Sequence, residues 1–188
     1  MSLSSLQIDK EWSLFLDRDG VLNERIVDGY VTRWEEFNFL PDVLEAMKVF
    51  DELFGRIVVV SNQQGIGKEI MTEGDVVKVH EKLEEQVKKN GGRIDSIYFS
   101  PHLAKEGNIM RKPNVGMALK ARRDFPEIRF RLSVMAGDKL SDMVFGRRLG
   151  MKTVFISDNI RDLRKGHKLI DFAFPDLQAF ASHLNQSH

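Results

Sequence analysis

The sequence predicts an α/β fold in which helices cover both faces of a doubly wound parallel sheet. Short, continuous apolar segments recur along the chain and alternate with amphipathic helical segments. Strands that are buried on both faces show such continuous apolar runs, and their alternation with helices predicts right-handed crossovers. Polar or acidic residues directly follow several of the apolar segments. Ligands in these folds bind beyond the carboxyl ends of the strands, so we expect the functional site there.

Each predicted strand is a short apolar segment bounded by polar or turn-forming residues. The strands cover residues 12–16, 56–60, 94–99, 132–136, 152–156 and, as a last short one, 172–174. Helices are predicted at 41–54, 72–90, 114–124 and 140–149, and a terminal helix begins at Pro175. Thr72 and Asp75 resemble a capping box at the start of the second helix. His80 lies beside the apolar stripe of that helix, where we expect a structural role.

The composition narrows the class of protein. The 188 residues, 42% of them hydrophobic, suit a single domain over residues 1–188, in which residues 1–10 receive no functional weight. Lys and Arg total 28, as do Asp and Glu, and this balance argues against a general affinity for nucleic acid or membranes. The sequence has no cysteine, which excludes disulfides and thiolate sites. It shows neither a signal peptide nor a membrane span, so we expect a cytoplasmic protein.

Two aspartates, Asp17 and Asp19, follow the first predicted strand immediately before Gly20. Ionised carboxylates at a buried strand end are costly unless a cation or strong hydrogen-bond donors compensate them. Oxygen ligands of this kind suit Mg²⁺, which commonly shares its site with a phosphate. The alternative is a turn in which either side chain binds loop amides, and these two residues alone do not decide the question.

Three further polar segments are expected at the same edge of the sheet. Together they would supply carboxylates, a hydroxyl, an amide and cations, which phosphoryl transfer requires. Taken singly, the same residues could cap a turn or a helix, or could be solvated charges. The segments are Ser61-Asn62-Gln63-Gln64-Gly65, Arg111-Lys112-Pro113 and Gly137-Asp138-Lys139-Leu140-Ser141-Asp142.

In order and in context, the four polar segments resemble the four motifs of the haloacid dehalogenase superfamily, over about residues 12–157. The resemblance implies a Mg²⁺-dependent phosphatase that works through an aspartyl-phosphate intermediate. Asp17 would be the nucleophile. The Mg²⁺ ion would be bound by Asp17, the main-chain carbonyl of Asp19 and Asp138.

The resemblance also implies the other catalytic roles. Asp19 would protonate the leaving group and then deprotonate the attacking water, so we expect its pKa to be raised. Ser61 and Asn62 would bind the phosphate, and Lys112 would stabilise the charge on its oxygens. Asp142 would orient Lys112 or a metal-bound water.

Superfamily phosphatases often carry an inserted cap domain, but the intervals between these motifs leave no room for one. The details of the motifs resemble the capless subfamily that contains heptose 1,7-bisphosphate and histidinol-phosphate phosphatases, and the heptose members more closely. By analogy, Asn23, Arg111 and the loop over residues 28–33 would contact the sugar or its second phosphate. Tyr30 in this loop, with Trp34 and Phe37 beyond it, would either contact substrate or anchor the chain.

The stretch before Arg111 departs from that subfamily, which commonly has a cysteine-containing zinc loop there. Residues 100–102 and 108–110 occupy the corresponding places, and His102 is the one plausible zinc ligand among them. We therefore predict that the protein binds no zinc and that packing holds the loop over residues 103–110.

Other functions remain open from the sequence. Histidinol phosphate is the second candidate substrate. The segment from Ser61 to Lys68 also resembles polynucleotide 3′-phosphatases, although the neutral charge and the lack of an aromatic stacking stripe argue against nucleic acid. A module that binds phosphate without turnover is a further alternative. The expected partner is a small phosphorylated substrate, and nothing in the sequence indicates an oligomer.

Overall fold

The computed structural model describes residues 7–157 and 168–186. Its strands are β1 (Ser13–Leu16), β2 (Arg56–Asn62), β3 (Ser96–Ser100), β4 (Ser133–Gly137), β5 (Lys152–Ile156) and β6 (Phe172–Phe174). They form one six-stranded parallel sheet in the order β3-β2-β1-β4-β5-β6. The predicted parallel sheet is thus confirmed, and no separate cap domain is evident within the two described ranges.

The helices are α1 (Val43–Leu53), α2 (Glu73–Lys89), α3 (Gly116–Asp124), α4 (Leu140–Leu149) and α5 (Leu177–Asn185). Helix α1 begins later than predicted because Asp42, with a φ of 57°, takes the left-handed conformation. The capping box of α2 is confirmed, since the side chains of Thr72 and Asp75 each accept a hydrogen bond from the other's backbone N–H. Across the described part of the chain, no helix has both the length and the apolar content that membrane crossing requires.

Two apolar layers hold the sheet between the helices. Leu14 and Leu16 of β1 pack in the layer of α1, α2 and α5, whereas Phe15 packs in the layer of α3 and α4. Successive strand residues point to opposite faces, which explains why the strand sequences are apolar without alternation. Ile8 is fully buried in the first layer, so the start of the described chain has a structural role, while residues 1–6 lie outside the described residues.

The centre of the sheet determines where the site lies. The chain proceeds from β1 outward to β2 and β3, and then from β4 outward to β5 and β6 on the other side. Strands β1 and β4 are therefore neighbours at the point where the winding direction changes. Loops diverge there and leave a crevice at the carboxyl ends of the strands.

Candidate active site

Asp17 lies at the floor of this crevice, directly after β1. Its backbone N–H donates to the carbonyl of Ala136 on β4 at 3.0 Å, which extends the pairing of the two central strands. Its Oδ1 atom accepts a hydrogen bond from the backbone N–H of Arg18 at 2.8 Å and lies 2.8 Å from Nζ of Lys112. Oδ2 takes part in neither contact. The carboxylate is thus held through one oxygen, which leaves the other for reaction or for binding a cation.

Lys112 is the buried cation of the crevice. Its Nζ lies 2.7 Å from Oδ1 of Asp142 and donates to the carbonyl of Val60 at 2.6 Å, in addition to its contact with Asp17. Burial opposes its charge most strongly, but Asp142 and Asp17 together outweigh burial and raise the pKa of Lys112. Both amide atoms of Asn62 bind the main chain of Lys112, each at 3.0 Å. Lys112 is therefore charged and fixed in position.

Asp138 and Asp142 complete an acidic cluster with Asp17, in which one carboxylate oxygen from each lies within 4.8 Å of the others. Burial and the charge of Asp17 raise the pKa of Asp138 to about 7, although Arg25 opposes this shift. Burial, opposed by Lys112, raises the pKa of Asp142 to about 6. Oδ1 of Asp138 is buried without a hydrogen-bond partner among the described residues. An oxygen cluster of this kind fits a hard divalent cation such as Mg²⁺.

Two glycines permit the close approach of these segments. Gly20 has a φ of +91°, and a Cβ atom there would lie 2.1 Å from Oδ2 of Asp138. A Cβ atom on Gly137 would lie 2.4 Å from Cβ of Asp142. Any side chain at either position would displace an acidic residue of the cluster.

Asp19 is held by a network of donors at the side of the crevice. Its Oδ1 accepts from Nη2 of Arg18 at 2.9 Å and from Nδ2 of Asn23 at 3.1 Å, and its Oδ2 accepts from Nε2 of Gln63 at 2.8 Å. Burial alone would raise its pKa, but the charge of Arg18 and these hydrogen bonds outweigh burial and lower it. The expectation of a raised pKa is therefore wrong, because the surrounding donors stabilise the ionised carboxylate.

Arg18 and Gln63 are important supports that the sequence analysis did not assign. Arg18 is 1% exposed, and its Nη1 lies 3.0 Å from Nε2 of His80. Burial and the charge of Arg18 lower the pKa of His80 to about 3, so this histidine is neutral and has the expected structural role. Gln63 also donates to Oγ of Ser61 at 2.7 Å. The available signal was the charged Arg18 placed between two aspartates at the end of a buried strand.

The other candidate residues lie at different depths in the crevice. Ser61 is buried beside Gln63 at the end of β2, and Asn23 is fully buried against Asp19. Arg111 lies at the rim, where it donates to the carbonyl of His102 at 3.0 Å and to Oε1 of Gln64 at 3.3 Å. Contacts of these residues with a phosphate or a sugar stay predictions.

A cavity of about 310 Å³ opens beside Asp19 at the rim. Tyr30, Gln64 and Lys68 contribute to its wall. Nε2 of Gln64 donates to the Tyr30 hydroxyl at 3.1 Å, and Nζ of Lys68 lies 5.4 Å from the centre of the Tyr30 ring. This cavity is polar, cationic and open enough for a small anionic ligand.

The aromatic residues of the neighbouring loop divide between two roles. Trp34 stacks on Phe37 with ring centroids 4.9 Å apart, and Phe37 packs in the core. These two residues anchor the loop, whereas Tyr30 lines the cavity.

Hydrogen bonds hold the loop that replaces the zinc loop of the subfamily. Nδ1 of His102 lies 2.9 Å from Oε2 of Glu106, and Oδ1 of Asn108 accepts from the backbone N–H of Met110 at 2.8 Å. Within residues 7–157 and 168–186, the acidic cluster described above is the one group of three or more His, Cys, Asp or Glu side chains placed to hold a metal. That the protein binds no zinc stays a prediction.

The chain is similar to known phosphatases in sequence and in fold. Residues 15–184 match the family model described as polynucleotide kinase 3 phosphatase. The chain is 40% identical over 133 residues to the D-glycero-alpha-D-manno-heptose-1,7-bisphosphate 7-phosphatase of Mycobacterium bovis, covering 71% of this chain and 70% of that protein. It is 36% identical over 141 residues to the D-glycero-beta-D-manno-heptose-1,7-bisphosphate 7-phosphatase of Helicobacter pylori, covering 74% and 79%.

A solved structure extends the similarity to the whole fold. The D,D-heptose 1,7-bisphosphate phosphatase of B. bronchiseptica, complexed with magnesium and phosphate, superposes with a TM-score of 0.83 at 26% identity, covering 94% of this chain and 99% of that one. The match to the family model spans the four motifs at the crevice. The chain belongs to the phosphatases of the haloacid dehalogenase superfamily, in the family of the polynucleotide kinase 3 phosphatase model and the heptose-1,7-bisphosphate 7-phosphatases.

Proposed function

We propose that this protein is a Mg²⁺-dependent phosphatase that removes the 7-phosphate of a heptose 1,7-bisphosphate. The observation that carries the proposal is the placement of Asp17, held by Lys112 through one oxygen, within an acidic cluster at the carboxyl edge of the sheet. The names of its relatives support the choice of substrate. Asp17, the main-chain carbonyl of Asp19 and Asp138 would hold the Mg²⁺ ion.

The reaction would proceed in two displacements. Asp17 attacks the phosphorus, so that a bond forms between its carboxylate oxygen and phosphorus while the bond to the sugar oxygen breaks. Asp19 gives a proton to the departing sugar oxygen and then takes one from a water molecule. That water attacks the phosphorus, the bond to Asp17 breaks, and inorganic phosphate leaves. A bound Mg²⁺ ion would neutralise negative charge on Asp17 and on the transferring group.

The other residues at the floor would stabilise charge. Lys112 would contact the phosphate oxygens as charge develops on them, because its ammonium group already lies beside Asp17. Ser61 would donate its hydroxyl proton, since its oxygen already accepts from Gln63. Asp142 contacts the same ammonium group and helps to hold Lys112 in place.

The lowered pKa of Asp19 places a condition on its role as an acid. A carboxylic acid donates a proton only if it is protonated first, and the donors around Asp19 favour its ionised form. A phosphate dianion bound beside Asp19 would oppose its ionisation and raise its pKa. We therefore infer that Asp19 acquires its proton together with the substrate.

A phosphate-release panel tests the proposed substrate. It compares both anomers of heptose 1,7-bisphosphate with histidinol phosphate and a 3′-phosphorylated oligonucleotide, the last because of the name of the matching family model. We expect turnover of a heptose bisphosphate to exceed the others by at least about tenfold in kcat/KM. Preference for the oligonucleotide would overturn the proposal. No turnover of any compound would favour a phosphate-binding module. Cytoplasmic location stays a prediction from the sequence.

A further inference from the structure

Arg25 places its guanidinium against the main-chain carbonyl of Asp19 and the carboxylate of Asp138, two groups that the proposed function assigns to Mg²⁺. Its Nη2 donates to the main-chain carbonyl of Asp19 at 3.0 Å and contacts Oδ2 of Asp138. The Arg25 side chain is 39% exposed, whereas that of Asp138 is 14% exposed. A residue of the rim therefore delivers a positive charge into the acidic crevice.

Charge balance explains why a cation belongs at this point. Lys112 contacts both Asp17 and Asp142. Among the described residues, Arg25 is the basic side chain within ion-pair distance of Asp138. A carboxylate that is nearly buried is costly without a partner, so the guanidinium compensates the member of the cluster that Lys112 does not contact.

The guanidinium of Arg25 occupies a position next to these oxygens that a bound cation would take. A Cβ atom on Gly20 would lie 2.1 Å from Oδ2 of Asp138 and 3.0 Å from Nη2 of Arg25, so the chain is already in close contact there. Mg²⁺ binds oxygen at about 2.0–2.1 Å and keeps several of its own waters. The hydrated ion and the guanidinium would overlap and repel each other, so they cannot contact the same two oxygens together.

The loop that carries Arg25 can release it to the rim. Residues 24–28 are exposed, and Arg25 also lines the cavity of about 310 Å³ beside Asp19. The backbone N–H of Glu24 donates to the carbonyl of Asn38 at 2.8 Å, which fixes the base of the loop. Rotation of the exposed arginine side chain alone would carry its charge out of the crevice.

We propose that Arg25 is a displaceable counter-cation that competes with Mg²⁺ for Asp138 and the carbonyl of Asp19. The identity of the metal in this proposal rests on the proposed function. Each molecule in which Arg25 occupies these oxygens is unable to bind Mg²⁺ at them. The measured affinity for Mg²⁺ is therefore the intrinsic affinity multiplied by the fraction of molecules in which Arg25 has withdrawn, and it falls as that fraction falls.

Isothermal titration calorimetry with Mg²⁺ tests the competition directly. Arg25→Gln removes the charge, and we expect its Kd for Mg²⁺ to be about five- to tenfold lower than that of the unmodified protein. Arg129→Gln is the matched control, because Arg129 is exposed, precedes β4 at the opposite end of the sheet and pairs with Glu11. An unchanged or higher Kd in Arg25→Gln would overturn the proposal.

Thermal unfolding supplies a second readout that is independent of catalysis. In EDTA, Arg25→Gln should have a lower Tm than the unmodified protein, because Asp138 loses its partner. Mg²⁺ should then raise the Tm of the variant by more than it raises the Tm of the unmodified protein. Equal rises in the two proteins would contradict the competition. If the unmodified protein binds no Mg²⁺, both this inference and the metal of the proposed function fail. If it binds Mg²⁺ and Arg25→Gln makes no difference, only this inference fails.

Discussion

Lys112 at the floor of the crevice is buried between two carboxylates and a main-chain carbonyl, whereas Lys68 at the rim is exposed and packs over the ring of Tyr30. Asp17 and Asp138 at the floor directly follow the central strands β1 and β4, and several contacts fix Lys112 on its loop. The rim residues lie on loops. One hydrogen bond joins Gln64 to Tyr30, and another joins Arg111 to Gln64. Under the proposed function, we therefore expect the floor to determine the reaction and the rim to determine which molecule undergoes it.

The largest expected effect is that of Asp17→Asn, which tests whether the floor carries the reaction. An amide is a very weak nucleophile, so phosphate release should fall by about a thousandfold or more. Asp42→Asn is the matched control, since Asp42 is exposed and its side chain caps no helix. Circular dichroism should show both variants folded. If Asp17→Asn released phosphate as fast as the unmodified protein, Asp17 would not be the nucleophile.

Lys112→Met should reduce both activity and stability. Two buried carboxylates would lose their common partner, and this should cost about 3 kcal/mol in the free energy of unfolding, together with about a hundredfold in kcat. Urea denaturation and phosphate release measure the two effects. Lys89→Met, at the exposed end of α2, is the control. If Lys112→Met lost stability but kept its kcat, the lysine would be structural only.

Asp138→Asn distinguishes the effect of the Asp138 carboxylate on the free energy of unfolding from its effect on Mg²⁺ binding. The pKa of Asp138 is raised from 3.8 to about 7. Its favourable contribution to the free energy of unfolding is therefore complete below pH 3.8 and is lost as pH rises through about 7. In EDTA at about pH 8, the variant should therefore be more stable than the unmodified protein by about 2 kcal/mol. At about pH 5 the difference should be smaller.

Mg²⁺ should reverse that order at about pH 8, because the unmodified protein gains binding energy that Asp138→Asn lacks. Thermal unfolding with and without Mg²⁺ measures this reversal, and Asp42→Asn again serves as the control. Equal stabilisation of both proteins by Mg²⁺ would show that Asp138 is not a ligand.

The smallest effect is expected at the rim, in Gln64→Ala. Gln64 joins Arg111 to Tyr30, so its loss should loosen the cavity wall and raise the KM for the bisphosphate about three- to tenfold at nearly constant kcat. Gln86→Ala on α2 is the control. A fall in kcat with unchanged KM would mean that the rim takes part in the reaction itself.

Much of the floor could be predicted because its signals are local. The apolar segment before Asp17, and the one before Ser61, each end at the same edge of the sheet, as parallel strands require. The rim was harder to predict. Tyr30, Trp34 and Phe37 have similar sequence signals, and only their packing shows that the last two anchor the loop while the first lines the cavity.

The sequence by itself determined the parallel fold and the edge at which the acidic residues gather, because strand periodicity and strand ends are properties of neighbouring residues. The tertiary structure decided in which direction the pKa of each acidic residue is shifted and which charged side chains pair. The pKa of Asp19 is lowered rather than raised because the charge of Arg18 and the hydrogen bonds from Arg18, Asn23 and Gln63 outweigh burial, and Gln63 reaches Asp19 from far along the chain. The position of Arg25 against Asp138 likewise depends on a contact across 113 residues of sequence. Such shifts arise from burial and distance, which no segment of sequence contains.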